Sequence, residues 1–79
     1  MARLLYVGSH GVGDPTRAGL VFVQANGAKE AGHDAVIALV GDGVLLMNET
    51  IAKNTVPVGW PPVKELMGTS ISHHIPIHV

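Results

Sequence analysis

The stretch Ala2 to Thr16, ARLLYVGSHGVGDPT, limits the folds open to this chain more than any other. Leu4, Leu5, Tyr6 and Val7 are consecutive apolar residues, the pattern of a strand buried on both faces of a parallel sheet. The run stops at Gly8 and gives way to a loop carrying Gly11 and Gly13. Asp14 then fits an N-cap, and Pro15 the first helical position, where a missing N–H costs nothing. Strand, glycine loop and capped helix in that order open an α/β domain. The loop that leaves a parallel strand's carboxyl end is where such domains build ligand sites.

The pattern after Pro15 is helical, with Ala18, Val21, Phe22, Ala25 and Ala28 on one stripe that should lie on the sheet. Gly32, after Ala31, is expected to close this helix in the left-handed region. Gly19 and Gly27 lie inside it, each at a cost of about 1 kcal/mol relative to alanine, so they are expected to serve close packing. Ala35 to Val40, AVIALV, is a second buried-type strand ending in Gly41-Asp42-Gly43. The strand-helix-strand order implies a parallel pair with a right-handed crossover. Val44 to Asn54 reads as a second helix with Val44, Met47 and Ile51 on one face, which places Met47 in the core. TVPVGWPP, Thr55 to Pro62, is irregular, and Pro61-Pro62 start a helical turn, Val63 to Met67, that Gly68 should stop. Ile75 to Val79 reads as a third strand, with Pro76 at its entry or on an edge. A strand that ends on Val79 suggests more sheet, from a longer parent chain or from a partner.

With 79 residues the chain forms one domain, residues 1–79. At this size roughly 60 to 65% of the unfolded surface is buried on folding, so stability alone is marginal. Apolar residues make up 47% and charged ones only 14%, with a mean hydropathy of +0.34. Such a balance leaves apolar surface to bury against another chain, and a homo-oligomer is the expected state. The five Lys and Arg are scattered and the net charge is −1, so nothing tracks the phosphates of a nucleic acid. There is no cysteine, which excludes disulfides and thiolate metal ligands. No segment approaches the roughly 20 apolar residues of a membrane span, and no signal-peptide pattern precedes Leu4, so a cytoplasmic location is expected.

Groups that follow the carboxyl ends of parallel strands meet along one edge, and here that edge should gather Ser9, His10, Asp42 and His78. They would form a small-ligand pocket, with both imidazoles as ligands or acid-base groups. Alternatively Asp42 caps the second helix and both histidines lie on the surface. Gly11 and Gly13 could cradle an anion with backbone N–H groups. Against that, the run has neither G-x-G-x-x-G spacing nor a P-loop lysine, and Asp14 puts a negative charge at the cap, which favours a structural turn. No residue is assigned a catalytic role, and no cofactor or metal is called for. His73 and His74 precede the last strand, at the opposite end of the sheet from His10, as exposed residues or as a pH-sensitive subunit contact. Trp60 serves equally as an interface anchor, as a lid over the strand-end pocket or as a cover for the second helix.

With the elements placed, LLYVGSHGVGDPTRAGLVFVQANGAKEAGHDAVIALVGDGVLLMNETIA resembles the DsrE/DsrF-like family of small α/β proteins of sulfur relay. The matching points are the strand with its glycine and Asp-Pro loop, the helix ending Ala31-Gly32-His33, and Val40-Gly41-Asp42-Gly43-Val44. The Pro-rich loop and the short helix before IPIHV also suit it. The resemblance implies a three-layer, Rossmann-like α/β fold with a parallel sheet, here with about three strands and so either a small domain or the amino-terminal part of one. It implies oligomers and a sulfur-relay protein partner. Sulfur-transferring members carry a reactive cysteine just after the third strand, and this sequence has none, so as given it has no thiolate to carry a persulfide. The readings that follow are a non-catalytic relative in intracellular sulfur transfer, an oligomeric small-anion or metal-binding module, or a structural subunit.

Overall fold

In β1, Arg3–Gly8, side chains alternate between half-buried and exposed, a pattern that the uniformly apolar sequence conceals. The computed structural model describes residues 2–79. After β1 come α1, Pro15–Glu30, and β2, Asp34–Leu39. A 3-10 segment, Gly41–Met47, leads to α2, Glu49–Asn54, then α3, Val63–Ser72, and β3, Ile77–His78. The three strands form one parallel sheet in the order β1-β2-β3, so the α/β class and the parallel three-stranded sheet are as expected.

That strand order decides the layers. Each parallel step is made by a right-handed crossover, and an order that never reverses carries every crossover helix to the same side. Ala35, Ile37 and Leu39 are buried on that side with Ala18, Val21, Phe22 and Ala25 of α1 and Val63, Leu66 and Met67 of α3. On the other face Leu5 is 63% and Val7 58% exposed, while Val36 and Ala38 are half-buried. β1 is therefore not buried on both faces, and the described residues build two of the three expected layers.

α1 forms as its sequence dictates. The Arg17 N–H donates to Asp14 Oδ1 at 3.1 Å, Pro15 opens the helix, and Gly32 has φ +91°. Its packing on α3 includes a buried polar contact: Asn26 Nδ2 donates to the Leu66 carbonyl at 3.1 Å, and Ser70 Oγ to Asn26 Oδ1 at 2.6 Å. Within the low-dielectric interior these mutually satisfied groups fix the register of one helix on the other. Gly19 admits Pro57, whose ring a Cβ would strike, whereas Gly27 faces nothing within 4 Å and serves no close packing.

The expected helix from Val44 to Asn54 is two elements. Asn48 breaks it, with ψ 122°, because its side chain accepts from the Thr50 and Ile51 N–H groups and so starts α2 afresh. In the preceding 3-10 segment Leu46 is buried and Met47 is 51% exposed, so Met47 is not core. α3 runs through Gly68 to Ser72, beyond the expected stop, because Leu66, Met67 and Ser70 are buried around it. The third strand is shorter than expected, with Ile77 beside Ile37 and His78 beside Ala38. Lys64 Nζ donates to Glu49 Oε1 at 2.5 Å between α2 and α3, and this hydrogen bond, with the lysine's charge, holds the Glu49 carboxyl below its usual 4.5. Its contribution is full above that value and fades as the pH falls through the lowered one. Both side chains are exposed, so it is weak at any pH.

Candidate functional site

Because β1 and β2 are parallel, Gly8 and Leu39 end side by side and their following loops leave from the same edge. The loops are clasped through their backbones. The Val40 N–H donates to the Gly8 carbonyl at 2.9 Å, and Gly43 lies so close to that carbonyl that a Cβ there would collide with it. A Cβ on Gly11 would stand 2.7 Å from the Asp42 carbonyl oxygen. Glycine is required at both positions for backbone to approach backbone.

The clasp holds Gly11 against the Asp42 backbone. Ser9 Oγ lies 3.3 Å from His10 Nδ1, within hydrogen-bond reach. Asp14 closes the loop: its N–H donates to the Gly11 carbonyl at 3.1 Å. The Asp14 carboxylate both caps α1 and faces Arg17 Nε at 3.6 Å. The first turn of α1 is therefore already served by a carboxylate, and the Gly11 to Gly13 run makes a turn whose Gly13 is exposed. Asp42 lies in the first turn of the 3-10 segment rather than at its cap, which is Val40 with no side-chain hydrogen bond. There its charge faces the positive end of the local backbone dipoles.

His78 stands on β3 at the level of Ala38 and Val7. β2 separates it from β1, about 10 Å away by two strand spacings. The structure thus sets the loop of Ser9, His10 and Gly11 next to the loop of Asp42 through their backbones, and places His78 farther along the same sheet. Among the described residues no three His, Asp or Glu side chains gather closely enough to hold a metal ion.

A cavity of about 300 Å³ opens between the free edge of β1 and α1, lined by Tyr6, Ser9, His10, Arg17 and Gln24. Arg17 and Gln24 were not picked out from the sequence. Their signal is helical spacing: Arg17, Leu20, Val21 and Gln24 all line this cavity from α1. The cavity offers a hydroxyl, an imidazole, a guanidinium and a carboxamide around an opening of mixed polarity, a set suited to a small anion. His73 and His74 lie at the far end of the sheet, with His73 Nε2 3.5 Å from Glu30 Oε1. Among the described residues no helix is long and apolar enough to cross a membrane. Comparisons with protein-family models, with characterised proteins and with solved structures find no match to this chain.

Proposed function

We propose that this chain is a DsrE-like subunit related to intracellular sulfur transfer, cytoplasmic, and non-catalytic because its 79 residues include no cysteine. It would assemble with further copies and with a cysteine-bearing sulfur carrier rather than carry sulfur itself. The observation that supports this reading is the carboxyl edge: two glycine loops clasped at the ends of adjacent parallel strands, with β3 running parallel beside them. That is the edge at which carriers of the resembled family hold their thiol. The exposed Leu5 and Val7 support assembly, because apolar surface in a contiguous patch marks an interaction site. Native mass spectrometry of this chain with a persulfide-loaded DsrE-like carrier should show a complex in which all transferable sulfur stays on the carrier. Absence of any complex at tens of micromolar would refute the proposal.

A second reading, a small-anion binding module, is favoured by the cavity at Ser9, His10 and Arg17. On addition of thiosulfate, amide NMR signals of Tyr6, Ser9, His10, Arg17 and Gln24 and the imidazole signals of His10 should move along one saturable curve. Signals that stay fixed across the series would eliminate this reading.

A further inference from the structure

The amino-terminal end of the sheet carries a second cavity, remote from the loops described above. It has a volume of about 360 Å³, within the range of small-molecule pockets. The start of β1, the last turn of α1, the start of β2 and the turn between α3 and β3 all contribute to it. Arg3, Lys29 and His74 line it together with the single carboxylate of Asp34, and Leu5 and Val36 supply apolar wall.

Three features point to an occupant. Arg3 and Lys29 have no carboxylate within 4.0 Å among the described residues, so the cavity is lined by two basic residues that form no ion pair. Arg3 is aligned with Asp34 in the strand register, yet the two side chains form no ion pair. Three carbonyls of the last turn of α1, which would repel an anion, already accept hydrogen bonds: Gly27, Ala28 and Lys29 accept from the Ala31, His33 and Gly32 N–H groups at 3.0 Å. His74, finally, has φ +60°, the only non-glycine residue described with a positive φ. It follows the C-cap of α3, a position where glycine is free of strain and a histidine is not. Residues with a strained backbone of this kind concentrate at ligand sites, and this one lines the cavity.

We infer that this cavity binds a small organic carboxylate. Arg3 and Lys29 would take the charged end, with an imidazole N–H of His74 as a further donor, and the apolar body would rest on Leu5 and Val36. Arginine and lysine hydrogen bonds to carboxylates are charge-assisted and stronger than neutral ones. The site shares no residue with the carboxyl-edge loops, and Leu5 alone is common to it and to the exposed sheet face that supports assembly.

Two-dimensional amide NMR on the whole chain tests it, with benzoate as the probe. Benzylamine, with the same ring and the opposite charge, and inorganic sulfate, with charge and no apolar body, are the controls. Benzoate should shift Arg3, Leu5, Lys29, Asp34, Val36 and His74 along one saturable curve, more tightly than sulfate and with no matching response to benzylamine. The double substitution Arg3→Gln with Lys29→Gln should weaken benzoate by about tenfold or more while the spectrum stays dispersed, as loss of charged hydrogen bonds implies. His74→Gly should weaken benzoate several-fold although the fold tolerates glycine there. Equal responses to benzoate and benzylamine, sulfate binding as tight as benzoate, no saturable shift at these residues, or unchanged affinity in the double variant would each overturn the inference.

Discussion

Phe22→Ala is expected to destabilise this chain by about 3–5 kcal/mol, the usual cost of emptying a fully buried aromatic site. Phe22 is 0% exposed and is the only phenylalanine in the sequence. It lies on the α1 stripe with Ala18, Val21 and Ala25, in the same buried cluster as Ile37, Leu39 and Val63. The alanines beside it on α1 are too small to collapse into the space it would vacate. At about 0.05–0.15 kcal/mol per residue, a domain of this length has roughly 4–12 kcal/mol to lose. Urea denaturation should therefore show a variant that is largely unfolded or has a sharply lowered midpoint. A loss below about 1 kcal/mol would mean that the sheet-helix core is not organised around this ring.

Gly43→Ala is the second large effect, and it acts on the site as well as on stability. The added methyl would strike the Gly8 carbonyl, a backbone atom that also accepts from the Val40 N–H. Neither group can rotate away as a side chain would, so either the loop after β1 or the 3-10 segment must move. Overpacking of this kind costs about 1–3 kcal/mol. The amide signals of Gly8, Ser9, His10 and Gly11 should shift together while those of α3 do not. Gly27→Ala is the internal control, because nothing lies within 4 Å of its would-be Cβ and alanine suits a helix interior. It should raise stability by about 0.5–1 kcal/mol. Two glycine-to-alanine changes with opposite signs would separate contact from propensity. Equal small effects at both positions would contradict the clasp.

Helix α1 was legible in the sequence because its signals agree at every level. Asp14 caps, Pro15 opens, the apolar stripe recurs at three and four, and Gly32 stops it. Between residues 44 and 54 the signals conflict. Val44, Met47 and Ile51 fit an α-helical face, but a 3-10 segment repeats every three residues, so the buried positions are Gly43 and Leu46 instead. Asn48 decides the outcome through a local side-chain cap that a stripe of apolar residues does not reveal. The faces of β1 were illegible for a different reason. Leu4, Leu5, Tyr6 and Val7 are all apolar, so the sequence carries no alternation, and only the order of the strands shows which side the helices take. The approach of Gly11 to Asp42 follows from parallel strands alone, whereas Arg17 and Gln24 reach the cavity through helical spacing that strand ends do not mark. The position of His78 depends on where β3 pairs, and a two-residue strand that directly follows Pro76 gives little warning of that register.

The most direct test of the proposed role is to map which end of the sheet meets a sulfur carrier. Amide NMR of this chain, followed as a persulfide-loaded DsrE-like carrier is added, should show saturable changes confined to residues 8–13, 41–43 and 78. Changes centred on Arg3, Asp34 and His74 instead, or no change at all, would contradict the account.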